Sequence, residues 1–352
     1  MKSPLRLPPT SLRPGERVCV AISGGADSTA LLLLVHAANA LGVGLSAIHV
    51  NHSLRAEESD ADQQFVVDLC ERLAIPLHLQ KVDTATRAAA YRETIEEAGR
   101  NLRYAAFGSL LQQGRADVIL TAHTLDDQAE TVLMKLLRGA WLEGLSAISP
   151  TLELPGGRIL RPLLHTRREE LRAYLTNIGQ TWREDSSNSD DAFTRNRLRH
   201  SVLPVLRKEN PAVDQTLANL AELAREEESR WSVELARILP RLILPGKPVR
   251  GGGRSNSTAP GTQALAIELD QLRALDPALR RRVVRAAARQ LGARLSFDET
   301  SRLLSFAGYP PSGVPDPTVS SKPGGKLQLS QGLLAERSPR ELRLSGGEKS
   351  GT

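Results

Sequence analysis

Short apolar runs alternate with longer amphipathic stretches in the N-terminal part of the chain. Residues 18–22 and 45–50 are apolar, contain β-branched side chains and are bounded by turn residues, which is typical of buried strands. The stretch between them is long enough for one helix, so it predicts a βαβ unit with a right-handed crossover. Residues 75–82 and 117–122 predict two further strands. We therefore expect an α/β fold of Rossmann-like type, with a parallel sheet flanked by helices.

Helical periodicity replaces this pattern further along the chain. We predict a catalytic α/β domain over residues 1–212 and a mainly helical middle domain over residues 213–310. A segment at about 245–263 is rich in Gly, Pro and Ser, and it is expected to be a flexible loop without structure of its own. Residues 322–344 alternate like two or three small strands, so we expect residues 311–352 to form a short β-rich C-terminal segment whose last eight residues are disordered.

Composition narrows the class of protein. The 352 residues exceed one typical core, and the net charge of +6 favours a polyanionic partner such as a nucleic acid. Cys19 and Cys70 form no C-x-x-C pair, which argues against a disulfide framework or a thiolate zinc site. No apolar run approaches the roughly 20 residues that span a bilayer, and prolines interrupt the N-terminus where a signal peptide needs its apolar centre. We expect a soluble, cytoplasmic protein with no membrane partner.

A glycine-rich turn, SGGADS at residues 23–28, joins the first predicted strand to a helix. Gly24 and Gly25 lack Cβ atoms, so backbone N–H groups can approach an anion closely. The N-terminus of the following helix adds unpaired N–H groups and the positive end of its dipole, which predicts a phosphate site. Asp27 is out of place beside a phosphate unless a cation lies between them, and so it suggests Mg²⁺ or an amine substrate. The residues expected at the phosphate are Ser23, Gly24, Gly25, Ala26, Asp27 and Ser28.

A second group of ionisable residues, HTLDDQAET at 123–131, follows the strand predicted at 117–122. Asp127 and Glu130 are three positions apart and share one face of the helix that begins here. Acidic residues at a helix start often only cap the helix. Here, however, His123 and the carboxylates gather at the end of a strand expected beside the phosphate loop, and this favours a functional site.

Arginines are concentrated in two further places. Residues 195–200 crowd like charges that repel one another, which favours a surface that faces phosphates. The polar residues of this group are Arg195, Asn196, Arg197, Arg199 and His200. Arg280, Arg281, Arg282, Arg285 and Arg289 are expected to form a basic helix face, for which solvated and RNA-binding interpretations stay open. Arg103, on a helix predicted at 94–111, could likewise be solvated or contact a phosphate, and His49 is expected on the rim of the phosphate loop.

Six motifs occur in an order and spacing that resemble one family. They are SGGADS (23–28), HVNHSLR (49–55), RNLRYAAF (100–107), AHTLDDQAET (122–131), RPLL (161–164) and WREDSSNSDDAFTRNRLRH (182–200). This pattern resembles the bacterial tRNA(Ile)-lysidine synthetase family of the PP-loop ATP pyrophosphatase superfamily. The helices at 280–307 and the C-terminal strands are similar to later parts of the same family, so the resemblance covers nearly the whole chain.

The resemblance implies a two-step ligation that uses ATP, Mg²⁺, L-lysine and a tRNA(Ile) with a CAU anticodon. ATP would adenylate the C2 carbonyl oxygen of the wobble cytidine. The lysine ε-amine would then attack C2 and release AMP, giving lysidine and changing decoding from AUG to AUA. The resemblance leaves open whether the protein is a monomer or a homodimer.

The resemblance also implies a role for each candidate residue. The turn, with His49 and Arg103, would bind ATP, and Asp27 would hold Mg²⁺ that offsets charge on the α-phosphate. Asp27 would also be catalytic, together with His123, Asp127 and Glu130. Because a protonated lysine is a poor nucleophile, a base is required, and it is not assigned among those last three. The residues implied at tRNA or other phosphates are Arg195, Asn196, Arg197, Arg199, His200, Arg280 and Arg281.

The alternatives are a different PP-loop tRNA enzyme and a protein of another class that binds without catalysis. A PP-loop tRNA thiolase would need cysteines for sulfur relay or an iron–sulfur cluster, and Cys19 and Cys70 are poorly placed for either. A non-catalytic RNA- or nucleotide-binding protein would not need carboxylates beside its phosphate loop. Pyrophosphate release that depends on both tRNA and lysine would distinguish the three hypotheses.

Overall fold

The computed structural model describes residues 5–7, 12–38, 42–54, 56–184, 194–248, 254–255, 264–310, 313 and 319–346. The chain divides into two compact units, Met1–Glu226 and Glu227–Thr352. Within the described residues, no helix is both long and apolar enough to cross a membrane.

A six-stranded sheet forms the centre of the first unit. Its strands are β1 (Arg17–Ala21), β2 (Gly44–Asn51), β3 (Leu77–Lys81), β4 (Val118–Leu120), β5 (Thr151–Leu154) and β6 (Gly157–Leu160). The order across the sheet is β3-β2-β1-β4-β6-β5, and every pair is parallel except β5 with β6. The predicted Rossmann-like parallel sheet is therefore confirmed, and so are the strands expected at 18–22, 45–50, 75–82 and 117–122.

Helices cover the sheet and complete three apolar clusters in this unit. They are α1 (Ala26–Ala37), α2 (Ala56–Arg72), α3 (Thr84–Tyr91), α4 (Ile95–Gln112), α5 (Leu125–Leu137), α6 (Leu142–Leu145), α7 (Arg168–Asn177), α8 (Thr194–Arg197), α9 (Leu203–Glu209) and α10 (Val213–Leu242). A π-helical turn at Leu198–Val202 joins α8 to α9, and α10 continues into the second unit. The side chains of Val18 and Val20 on β1 are fully buried, which explains the unbroken apolar run of that strand.

The order of the strands reverses at β1. β2 lies on one side of β1 and β4 on the other, with Val18 opposite both Leu45 and Val118. Ligands in open α/β sheets bind at such a switch point, beyond the carboxyl ends of the strands. The glycine-rich turn leaves β1 here and the HTLDDQAET segment leaves β4 here, so the fold brings the two strongest motifs to one rim.

The hairpin formed by β5 and β6 was not predicted. It turns at Pro155 and Gly156, between two short apolar runs, which is the sequence pattern that could have revealed it. Gly156 has a φ of +89°, a conformation that favours glycine. A Cβ atom on Gly157 would lie 2.3 Å from the carbonyl oxygen of Asp117, so the turn packs closely against the start of β4.

The second unit combines helices with a five-stranded antiparallel sheet of order β11-β12-β13-β10-β7. The strands of this unit are β7 (Ile243–Pro245), β8 (Lys247–Pro248), β9 (Arg254–Ser255), β10 (Ala264–Glu268), β11 (Lys326–Gln328), β12 (Leu333–Arg337) and β13 (Glu341–Gly346), of which β8 and β9 form a separate two-stranded sheet. The helices are α11 (Leu269–Ala274), α12 (Pro277–Gln290) and α13 (Phe297–Ala307). The predicted helical region and the predicted β-rich C-terminal segment are confirmed. Strand β10, which directly precedes helix α11, pairs with β13 of the C-terminal segment.

Two local expectations need correction. The segment at about 245–263 was expected to lack structure, yet Pro245 ends β7, and β8 pairs with β9. Backbone pairing with β10 stabilises this end of the segment despite its Gly and Pro content. The disordered end was expected to include the last eight residues, but β13 extends to Gly346 because its backbone pairs with β12. Residues 249–253, 256–263 and 347–352 lie outside the described part of the chain.

We predict that Gly157→Ala destabilises the protein by about 1–3 kcal/mol, because the new Cβ would overlap the backbone of Asp117 and force the hairpin to shift. Urea unfolding followed by circular dichroism measures the change. Gly108→Ala is the control: no atom lies within 4 Å of its Cβ position in α4, so we expect a gain of up to about 1 kcal/mol. Equal stability of Gly157→Ala and the natural protein would contradict the prediction.

Candidate active site

The glycine-rich turn is held in shape by its own side chains. The hydroxyl groups of Ser23 and Ser28 lie 3.1 Å apart, and the Ser28 hydroxyl donates to the carbonyl of Gly25. Gly24 has a φ of +91°, and Gly25 is the N-cap of α1 without any side-chain capping bond. The first N–H groups of a 12-residue helix are thus left for an anion at the rim of the sheet.

The HTLDDQAET segment begins α5 with a capping box. Thr124 is the N-cap: its hydroxyl accepts from the Asp127 N–H, while Asp127 Oδ2 accepts from the Thr124 N–H at 2.9 Å. Asp126 Oδ2 accepts from the backbone N–H of Arg168 at 2.9 Å. Asp127 therefore has a structural task at the helix start, as the capping interpretation expects, and its Oδ1 atom remains for other contacts.

Arg168, the first residue of α7, connects the two motifs. Its Nε atom donates to Asp27 Oδ2 at 3.0 Å, and its Nη2 atom donates to Asp127 Oδ1 at 2.9 Å. The Nη1 atom also lies 3.6 Å from Glu130 Oε1. One guanidinium thus contacts carboxylates from α1 and α5, with only 19% of its side chain exposed.

Glu130 lies at the back of this cluster and has no exposed side-chain surface. Arg199 donates to both of its oxygens, at 2.7 and 3.0 Å, and Arg195 Nε lies 3.4 Å from Oε2. Together with Arg168, these arginines surround the Glu130 carboxylate with positive charge. This geometry favours a role in holding the arginines over direct contact with a substrate.

Burial and charge shift the pKa values of the cluster in different directions. Burial raises the pKa of Asp27 to about 6, although the charge of Arg168 opposes the shift. For Asp127, burial also opposes ionisation, but Arg168 and the Thr124 N–H outweigh it and hold the pKa below its ordinary value. The carboxylates in turn raise the pKa of Arg168 despite its burial. Asp27 Oδ1 is buried and has no hydrogen-bond partner among the described residues.

Two histidines lie on the same rim. Nδ1 of His123 is 3.0 Å from the Thr121 hydroxyl, and burial lowers the pKa of His123 to about 4, so its ring is neutral at pH 7. The Nδ1–H of His49 donates to the carbonyl of Ile22 at 2.9 Å, which ties the end of β2 to the end of β1. Burial lowers the pKa of His49 as well.

Two cavities open at this rim. The larger, of about 940 Å³, is lined by most of the predicted site residues: Ser23, Gly25, Ala26, Asp27, Ser28, Arg103, His123, Asp127, Arg195, Arg199 and His200. The smaller, of about 460 Å³, adds His49 and Asn196. Ser23, Gly25, Arg103 and Arg195 line both, so the glycine-rich turn adjoins each cavity.

The structure does not bring every predicted residue to these cavities. Gly24 shapes the turn and Glu130 supports the arginines, but neither lines a cavity. Arg197 is exposed and donates to the Thr194 hydroxyl. Arg55, in the HVNHSLR motif, lies outside the described residues.

The arginines of α12 belong to the second unit and have local partners. Arg280 donates to the carbonyls of Leu272 and Arg273. Arg281 lies over the ring of Phe297. Arg282, which was expected on the same basic face, is only 5% exposed, because it pairs with Glu228. The face is therefore less continuous than the sequence suggested.

Five arginines that line the larger cavity were missed from the sequence: Arg167, Arg168, Arg172, Arg183 and Arg207. Arg168 is the most central. Arg183 lines both cavities, donates its backbone N–H to the carbonyl of Gly24 and pairs with Asp62 at 2.8 Å. One pattern could have revealed Arg168. It follows Arg167 at the N-terminus of a helix, where the dipole disfavours positive charge, so partners elsewhere in the fold are needed.

The donor atoms fit a magnesium ion only in part. No group of three or more His, Cys, Asp or Glu residues in the described ranges is arranged to hold a metal. Mg²⁺, however, is commonly held by one or two carboxylates together with substrate phosphates. Oδ1 of Asp27, at the start of α1, has no hydrogen-bond partner among the described residues and is suited to that arrangement.

Comparison with known proteins agrees with this geometry. Residues 5–206 match the PP-loop domain family, so the fold and the turn define a PP-loop protein. The chain is 39% identical over 300 residues to the tRNA(Ile)-lysidine synthase of Nitratidesulfovibrio vulgaris, a match that covers 83% of this chain and 85% of that one. A similar enzyme from Geobacter sulfurreducens is 37% identical over 333 residues. The chain belongs to the tRNA(Ile)-lysidine synthase family.

The extent of these matches differs. The Geobacter match covers 94% of this chain but 65% of the relative, so the chain spans less than two thirds of that protein's length. Among solved structures, the U34-tRNA thiolase of Methanococcus maripaludis, which carries an iron–sulfur cluster, has a TM-score of 0.53 at 18% identity. That match covers 62% of this chain and 75% of the thiolase, and it shows a shared fold.

We predict that Gly24→Ala lowers the affinity for ATP about tenfold, because a Cβ at a φ of +91° strains the turn by about 1–2 kcal/mol and distorts its N–H groups. Isothermal titration calorimetry with ATP measures the effect. Gly179→Ala is the matched control, since Gly179 also has a positive φ, +67°, but lies in open space after α7. Natural affinity in Gly24→Ala would refute this role for the turn.

Proposed function

We propose that the protein ligates L-lysine to C2 of the wobble cytidine in a tRNA(Ile) with a CAU anticodon. ATP is converted to AMP and pyrophosphate, and the product lysidine changes decoding from AUG to AUA. One observation carries the proposal: an anion-binding turn and the carboxylates of Asp27 and Asp127 lie at one rim, joined through Arg168. The turn suits pyrophosphate, and the carboxylates suit an ammonium group.

In the first step, the C2 carbonyl oxygen of the cytidine bonds to the α-phosphorus of ATP and pyrophosphate leaves. In the second, the lysine ε-ammonium loses a proton, its nitrogen bonds to C2, and AMP leaves with the former carbonyl oxygen. The residues of the turn, together with Arg103, hold the phosphates. Mg²⁺ bound at Asp27 would offset negative charge on the phosphates.

Two carboxylates, those of Asp27 and Asp127, lie next to the turn and suit an ammonium group, in a cavity whose other charged side chains are mostly arginines that suit phosphates. Arg168 pairs with both carboxylates, and Arg199 lies 3.9 Å from Asp127 Oδ1. His123 is neutral at pH 7 because burial lowers its pKa to about 4, so it adds no charge that would repel lysine. Arg195, Arg199 and His200 line the larger cavity, and we expect them to contact phosphates of ATP or tRNA.

The alternatives are less well supported. Burial raises the pKa of Cys19 to about 12 and that of Cys70 to about 11, and neither thiol lines the cavities, so a sulfur relay through them is not favoured. A purely RNA- or nucleotide-binding protein would gain nothing from Asp27, whose burial beside other carboxylates disfavours its charged form.

We expect Asp27→Asn to lower lysidine formation at least about 100-fold, because the amide cannot supply the negative charge that holds Mg²⁺ or the ammonium. The measurement is nucleoside mass analysis of a CAU-anticodon tRNA(Ile) transcript after incubation with ATP, Mg²⁺ and lysine. The melting temperature should not fall much, since ionised Asp27 is disfavoured by burial. Asp127→Asn should lower lysidine formation in the same way, but its melting temperature should fall, because Arg168 and the Thr124 N–H stabilise the ionised carboxylate and hold its pKa below the ordinary value.

Asp117→Asn is the matched control. The Asp117 carboxylate also pairs with an arginine, Arg17, but this pair lies at the amino ends of β1 and β4, away from the glycine-rich turn. Lysidine formation should stay near the natural level in this variant. Near-natural activity of Asp27→Asn would remove Asp27 from the proposed mechanism, and absence of lysidine with the natural protein would refute the proposed function itself.

A second prediction concerns the tRNA. If Arg280 and Arg281 contact phosphates, Arg280→Gln with Arg281→Gln should weaken tRNA binding about tenfold and reduce the slope of log affinity against log salt by about 1–2, with ATP affinity unchanged. Filter binding at several salt concentrations measures both. Arg273→Gln, a 70% exposed arginine on α11, is the control. Equal losses of tRNA and ATP affinity would indicate misfolding and count against tRNA contact.

A further inference from the structure

The contacts of Arg168 set it apart from the other arginines of the site. It donates from Nε to Asp27 and from Nη2 to Asp127, and its backbone N–H donates to Asp126. The side chain thus joins the start of α1 to the start of α5, two elements that follow different strands of the sheet. The proposed function assigns no task to this side chain.

Arginine is suited to this bridge. The planar guanidinium directs its donors along fixed lines, so one side chain can hold two carboxylates at a set separation. We call this pair of fixed donors, Nε and Nη2 of Arg168, the fork. A lysine in place of Arg168 would keep the positive charge but not the fork. The position is costly for a cation, because it is the first turn of α7, where the helix dipole disfavours positive charge. The carboxylates offset that cost and raise the pKa of Arg168.

The bridge decides which carboxylate oxygens remain available. Asp127 Oδ2 is taken by Thr124, Asp127 Oδ1 and Asp27 Oδ2 accept from Arg168, and Asp27 Oδ1 has no partner among the described residues. Both carboxylates still line the larger cavity beside the turn. Arg168 therefore sets the orientation in which they meet any cationic substrate.

We infer that Arg168 is a positioning residue for the lysine substrate: it holds Asp27 and Asp127 so that both can contact the ε-ammonium beside the ATP-binding turn. This inference rests on the proposed function. It predicts that loss of the fork affects lysine more than ATP, because the turn has its own hydrogen bonds through Ser23 and Ser28.

The test is Arg168→Lys, with steady-state kinetics of lysidine formation at varied lysine and varied ATP. We expect the KM for lysine to rise about 10-fold to 100-fold, the range found when residues that orient a ligating group are lost. The KM for ATP should change less than threefold. A purely structural role would lower the melting temperature and affect both substrates alike.

Arg158→Lys is the matched control. Arg158 on β6 is about as buried as Arg168, with 17% of its side chain exposed, and it pairs with Glu16 but lines neither cavity. Its KM for lysine should stay within threefold of the natural value. If Arg168→Lys melts below the assay temperature, Arg168→Gln, which keeps an amide donor, replaces it with the same expectation.

The outcomes separate this inference from the proposed function. No lysidine from the natural protein would refute the function. If lysidine forms, an unchanged KM for lysine in the Arg168 variant overturns the inference alone. A lowered KM for lysine also overturns it, because Arg168 would then compete with the ammonium. An equal rise for ATP overturns it in favour of a phosphate contact or a general distortion.

Discussion

The ion pairs of Arg168 with Asp27 and Asp127 are the interaction on which the arrangement of the site depends. Only 15–22% of each of the three side chains is exposed, and loss of Arg168 would leave both carboxylates without this compensation. Around this pair the remaining charges alternate: Arg195 and Arg199 compensate Glu130, and Arg207 compensates Asp126. The fold tolerates each of these partly buried charges because a side chain of opposite charge lies next to it.

The sheet gives this cluster a rigid base. Strands β1 and β4 are fully buried over most of their length, and their carboxyl ends hold the glycine-rich turn and the capped start of α5 side by side. Apolar packing stabilises the sheet, whereas the buried charged groups at its rim reduce the stability of the fold. The raised pKa of Asp27 and its Oδ1 atom, which has no hydrogen-bond partner among the described residues, indicate this cost, and such a cost is typical of functional sites.

Much of this could be expected from local sequence. The apolar runs that became β1 to β4, the anion-binding turn and the cap at Thr124 follow from spacing and residue type. The individual tasks within the second motif could not be separated in advance. Asp127 caps its helix and also contacts Arg168, whereas Glu130, three residues later on the same helix, is wholly buried against arginines. These two carboxylates, three positions apart, have different surroundings because Arg168 of α7 donates to Asp127, whereas Arg199 donates to both oxygens of Glu130.

Strands β1 to β4, several helices, the glycine-rich turn and the carboxylates that follow β4 can be predicted from local sequence, because periodicity, glycine and capping preferences act over a few residues. Which charges meet depends on the packing of the folded chain. Arg168 and Asp27 are 141 residues apart, and no local preference links them. Their contact exists because the strand order places α1 and α5 at one rim and packs α7 against α1. Long-range electrostatic partners depend on that packing, and so the residue that joins the site was visible only in the folded chain.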